Sequence, residues 1–166
     1  MTRTVHAATI VLLVATVAHA QQGADAGWQR INDAHGSSLD VPTRLLRRER
    51  DPSSLVFVAG DGTRITFETI TESRPGFPGN DPEGDMTLTR SDCTVWPPAY
   101  RVVKERLAAY YCAKGSAIVY YAARYNGSGS ITLRATYPKA HAAIWDKAVA
   151  RMSTSMRQLA RMERRP

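Results

Sequence analysis

Two cysteines, three phenylalanines and four histidines are all that this 166-residue chain holds of those residue types, and each scarcity closes off a class of function. A four-ligand zinc site would have only His35 and His141 left to complete it beside the two cysteines, which makes it the less favoured use of that pair. Cys93 and Cys112 are spaced too widely for a Cys-x-x-Cys redox pair. In an oxidising compartment they read first as a disulfide, a closure that stabilises a chain by roughly 3 kcal/mol. No apolar run approaches the roughly 20 residues of a membrane-spanning helix; the longest is residues 7–17. Gly-x-Ser-x-Gly elbows are missing. So are glycine loops that open a helix onto a phosphate, the glycines near Asn126 reading as a hairpin turn.

What is present begins with a leader. Residues 1–20 combine Arg3, the apolar run and Ala18-His19-Ala20, the pattern of a signal peptide cut after Ala20. No cysteine stands at the cut, which disfavours a lipoprotein. The expected product is periplasmic or secreted. Its organisation is a flexible lead-in at 21–27, one α+β domain at 28–161 and a basic tail at 162–166. A mature chain of this length can build one real core. The formal charge is +7, and of 22 basic residues 18 are arginine, which suits carboxylate or phosphate partners.

Hydrophobic periodicity supplies the elements. Strands are expected at 28–32 and 38–41, the second stopped by Pro42. Residues 55–58, the Asp61-Gly62 turn and residues 63–70 form the clearest hairpin signal. Residues 71–85 read as a loop and 86–89 as a brief strand; a meander at 100–103, 107–113 and 117–125 leads to a strand at 130–137. In that last strand Ile131, Leu133, Ala135 and Tyr137 face one way, and Thr132, Arg134 and Thr136 the other. A helix is expected over 139–161, with Ile144, Trp145, Ala148, Val149, Met152, Met156 and Leu159 on its apolar face. The architecture that follows is α+β: an antiparallel sheet packed against a C-terminal helix.

Several motifs together resemble a group of small exported bacterial proteins of the Mog1/PsbP-like type. They are Gly36-Ser37-Ser38-Leu39-Asp40-Val41-Pro42, Phe57-x-x-x-Asp61-Gly62, Tyr120-Tyr121-Ala122-Ala123-Arg124, and Leu133-x-x-x-Tyr137-Pro138 followed by a helix ending Val149-Ala150-Arg151-Met152-Ser153-Thr154-Ser155-Met156. The resemblance implies an α/β/α sandwich used mostly for binding or assembly, with no catalytic motif to carry over. The chain departs from that pattern at Cys112-Ala113, where the group tends to have Ser-Gly, and in the loop-rich segment 74–98. The second departure implies a missing helical layer there.

Chemistry has few footholds. His35 beside Asp33 and Ser37, and His141 beside Asp146, lack the context of a nucleophilic site. No catalytic residue is assigned, and no cofactor or metal is expected. Asp81-Pro82-Glu83-Gly84-Asp85 echoes a calcium loop but lacks its sixth-position glycine, so a solvated acidic loop is the expectation. Arginines beside tyrosines 110, 111, 120, 121 and 125 superficially suit nucleic acid, a client that export makes inappropriate. The leading reading is a non-catalytic envelope module for binding or assembly, a monomer or weak oligomer without a membrane span, whose macromolecular partner is unidentified; its basic faces suit an anionic one. Its contact surface would combine a wet strand face (Arg64, Thr66, Glu68, Thr132, Arg134) with a basic helix face (Lys147, Arg151, Arg157, Arg161). The alternatives are a small-ligand carrier with a tyrosine-lined pocket between sheet and helix, and a hydrolase.

Overall fold

The computed structural model describes residues 27–71, 81–98, 100–126 and 129–158; the segment read as a signal peptide, most of the expected lead-in, Leu159, Arg161 and the basic tail lie outside them. Among the described residues nine strands and two α-helices follow one another: β1 (Trp28–Asn32), β2 (Ser38–Pro42), β3 (Arg47–Glu49), β4 (Leu55–Val58), β5 (Arg64–Thr71), α1 (Pro82–Leu88), β6 (Tyr100–Lys104), β7 (Leu107–Lys114), β8 (Ala117–Tyr125), β9 (Gly129–Pro138) and α2 (Ala142–Ser155). Seven strands form one antiparallel sheet in the order β3-β4-β5-β9-β8-β7-β6, and β1 pairs with β2 in a separate hairpin. The expected α+β class is what is found.

Alternation sorts the side chains of the large sheet. Phe57, Ile65, Phe67, Ile131, Leu133, Ala135 and Tyr137 pack on one face against Trp145, Ala148, Val149 and Met152 of α2, with Leu39 and Val41 of β2 in the same core. Burying such side chains contributes roughly 1.5–3 kcal/mol each. The hairpin is fastened to the end of α2 by polar contacts. Arg30 bonds the Ser155 carbonyl at 2.8 Å, and the Asp40 amide donates to Ser155 Oγ at 2.8 Å. Arg151 lies 4.3 Å over the Trp28 ring, a cation–π contact.

The opposite face buries Ala108, Tyr110, Cys112, Val119, Tyr121, Ala123 and Tyr125 beneath Met86 of α1. Here the expectations need correction. The segment read as an acidic loop running into a brief strand is α1, and a short 3₁₀ turn (Arg90–Asp92) follows it. Pro82 opens α1 with Glu83 and Asp85 in the first turn, where an absent amide costs nothing and acidic groups meet the positive helix end. A helical layer is therefore present on that side, short as it is. Cys93 and Cys112 are bonded, their Cα atoms 5.6 Å apart, which ties this cover to β7.

Three smaller differences have local causes. The polar strand β3, Arg47–Glu49, pairs with β4 inside a stretch that showed no alternation. The α-helix begins at Ala142, after a 3₁₀ turn at Lys139–His141, and ends at Ser155. Met156 turns extended at ψ 130°, and Arg157 exchanges two 2.8 Å backbone bonds with Ser38. Arg157 therefore lies beyond the helix rather than on its basic face. Ile144, assigned to the apolar face, is exposed.

Candidate functional site

Tyrosine doublets organise both sides of the sheet. Tyr110-Tyr111 on β7 and Tyr120-Tyr121 on β8 stand opposite one another, Tyr110 against Tyr121 and Tyr111 against Tyr120. Neighbouring residues of a strand point to opposite faces, so one tyrosine of each doublet goes to the α1 side and the other to the α2 side.

On the α1 side the phenols end on buried carboxylates. Tyr121 and Tyr125 both donate to Asp85. Tyr110 donates to Asp92 at 2.9 Å, and Arg134 pairs with the same carboxylate. The rings of Tyr110 and Tyr121 stack with centroids 5.3 Å apart, and Trp96 meets Tyr110 edge-on at 5.9 Å. Burial, and then the adjacent carboxylate charge, pushes all three phenols far above the usual tyrosine value. They stay protonated and can donate. Every polar group here finds its partner inside the layer, which makes this a structural network.

The α2 side is open. Tyr100, Tyr111 and Tyr120 sit side by side across β6, β7 and β8, and Tyr137 of β9 adds a fourth ring. Together with Asp146, Ala150, Ser153 and Thr154 they line a cleft of about 370 Å³. The four helix positions share one face at the i, i+4, i+7, i+8 spacing. Small or short side chains there leave the space unfilled, whereas Trp145, Val149 and Met152 fill the core beside it. Tyr137 donates to Asp146 Oδ1 at 2.7 Å and Tyr120 to Ser153 Oγ at 2.9 Å. Burial raises the phenols of Tyr111, Tyr120 and Tyr137, the Asp146 charge adding to the effect at Tyr111 and Tyr137. The rings are therefore neutral, and Asp146 is the one acidic residue among the lining side chains.

The sequence-derived contact surface divides between two sides of the molecule. Thr66 stands opposite Arg134, and Glu68 opposite Thr132, on the face turned away from α2. Arg64 pairs with Glu49 at 2.9 Å, Arg134 with Asp92, and Thr132 is buried. Lys147 is exposed on α2, Arg151 packs over Trp28, and Arg161 is outside the described residues. The strand and helix halves thus do not form one continuous surface.

The histidines also separate. His35 is exposed in the β1–β2 turn. His141 lies 2.7 Å from Asp61 Oδ2, which accepts the Trp145 indole N–H at 2.8 Å, while the Thr63 amide donates to Oδ1 at 2.9 Å. Burial alone would raise the Asp61 carboxyl, but the hydrogen bonds from Trp145, Thr63 and His141 outweigh it and hold the group well below the usual carboxylate range. This cluster pins the start of α2 to the β4–β5 turn. The acidic motif of α1 is likewise spent on protein partners, Asp85 on two tyrosines and Glu83 on Arg101. Among the described residues no group of three or more His, Cys, Asp or Glu side chains could hold a metal ion. None of the described helices is long and apolar enough to cross a membrane.

No protein-family model matches the chain, and no curated protein matches it in sequence. Among solved structures, one from Bacteroides thetaiotaomicron VPI-5482 aligns at a TM-score of 0.57 with 13% identity, covering 84% of this chain and 52% of its own. This chain is thus similar in fold to about half of that protein.

Proposed function

We propose that the chain is an exported, non-catalytic binding protein of the cell envelope, and that the four-tyrosine cleft is where it takes a small ligand. One observation carries this reading: a concave site of about 370 Å³ lies between sheet and helix, lined by four tyrosines and one carboxylate. Mostly aromatic walls, few polar groups and a volume in the lower part of the ligand-pocket range are the usual marks of such sites. Export is supported by the leader pattern and the Cys93–Cys112 bond. Helical segments on both faces of the antiparallel sheet support the Mog1/PsbP-like reading of the fold. A fragment screen followed by amide NMR tests the site. Binders should shift Tyr111, Ala150 and Thr154 while leaving β3 and β4 unmoved. A screen in which the cleft amides never move would remove the reading.

A macromolecular partner is the second reading, favoured by Leu88, 71% exposed, at a second concave site of about 520 Å³ that Thr87, Arg90, Ser91, Cys93, Thr94 and Trp96 also line. Val95, two residues beyond Cys93, is 72% exposed. In-cell crosslinking should capture a stoichiometric partner that the L88D/V95D double variant no longer holds. Equal capture by both proteins would end this reading.

A further inference from the structure

We propose that the tyrosine cleft selects a small organic cation: an alkylammonium group seated against Asp146, with its methyl or methylene surface on the rings of Tyr100, Tyr111 and Tyr120. This rests on the cleft being a binding site and names the chemistry of its ligand. Among the described residues the walls offer aromatic rings and oxygens, and no lysine, arginine, histidine, asparagine or glutamine lines them. An anion would find no cationic partner among those residues. A cation finds both things that attract it, the negative face of aromatic rings and a carboxylate. Asp146 is exposed and its Oδ1 accepts from the Tyr137 hydroxyl, which fixes the carboxylate beside the rings. The chain as a whole carries +7, so a cation is not drawn here by the overall field; attraction has to come from the cleft itself.

The nearby arginines do not contradict this. Arg151 turns to the Trp28 ring, and Arg124, four residues beyond Tyr120 on β8, donates to the Ser153 carbonyl at 3.4 Å. Arg124 is not one of the residues that line the cleft. Tyr100, 51% exposed on the edge strand β6, forms the entrance.

The test compares choline with 3,3-dimethyl-1-butanol, which keeps its shape without the charge, by calorimetry and by amide NMR on the full exported protein. Choline should bind at least about twofold more tightly, the least that cation–π attraction implies, and shift the amides of Tyr111 and Ala150. D146N, which keeps an acceptor for Tyr137, should abolish most of that preference. Y100L, at the exposed edge, should weaken choline more than the neutral isostere. Equal binding of the two probes would overturn the cation proposal while leaving the cleft a binding site. Binding of neither probe, in a protein whose cleft amides respond to other fragments, would overturn the proposal in the same way. Choline binding that shifts only residues outside the cleft would overturn it as well.

Discussion

Strands β6 to β9 carry tyrosines on both faces, and the two sets meet opposite fates. Beneath α1, Tyr110, Tyr121 and Tyr125 are buried and their hydroxyls end on Asp85 and Asp92. Beneath α2, Tyr100, Tyr111 and Tyr120 border a cleft. The residue type is the same and β7 and β8 serve both sides; what differs most is the element laid over them. A helix of seven residues with two buried side chains, Asp85 and Met86, seals its side because the carboxylate satisfies two phenols at once. A helix of fourteen residues leaves its side open because the row it presents is Asp146, Ala150, Ser153 and Thr154. Length of cover matters less than the chemistry it brings.

The closed side should break first. D85A leaves two buried hydroxyls without an acceptor, which corresponds to about 3–5 kcal/mol of lost stability, read as a shift in urea midpoint. D85N should recover a good part of it, and a D85A protein as stable as the parent would show that the tyrosine network is not what holds α1 down. Opening the disulfide by C93A/C112A should cost roughly 3 kcal/mol on the loop-entropy model; in addition, hydrogen exchange should rise at Met86 and leave Leu133 protected. D61A, which unpins the start of α2, should cost about 2 kcal/mol, comparable to removing a charged hydrogen-bond acceptor. Its effect has a pH signature. The native carboxyl is held below the usual range, so its contribution is complete above that range and is lost progressively as pH falls from it down through the lowered native value. The stability gap between the parent and D61A should therefore narrow in acid, and a pH-independent gap would contradict the assignment. Smallest of all, Y120F on the open side loses only the bond to Ser153 and should cost about 1 kcal/mol or less; a loss equal to that of Y121F would erase the distinction between the faces.

Much of this architecture was legible as pattern. Alternation located β5 and β9 and said which residues turn inward, and Asp61-Gly62 placed the hairpin turn. The apolar stripe located α2. Its ends were obscure because the stripe continues to Leu159 in sequence, whereas the chain leaves the helix at Met156 to pair with Ser38, a partner far away along the chain. The helix α1 was missed for a related reason. Proline, glycine and acids suggest a loop, Leu88 points to solvent, and Met86 alone among its apolar residues is buried, so no stripe exists to read. The signal that was available is Pro82 followed by Glu83 and Asp85, an N-terminal turn. A tyrosine-lined space between sheet and helix was foreseeable in kind. Which tyrosines line it was not, because that depends on β6 to β8 pairing in one register and on small residues recurring along α2. The basic contact surface failed to converge because charge on a strand and charge on a helix say nothing about which face of the sheet each will occupy.

The facing doublets also carry an ambiguity of alignment. If β7 slipped one residue along β8, a tyrosine would still stand on each face, although such a slip ordinarily exchanges inside for outside. Aromatic content therefore cannot tell the right pairing from its neighbour. The two-residue link at Gly115-Ser116, with Gly115 at φ +60°, fixes one end. The other reference comes from the α1 cover: Cys93 reaches only Cys112, and Asp85 reaches Tyr121 and Tyr125 together. The cover thus serves as a proofreader, a key that fits when the hairpin beneath it is in the right frame.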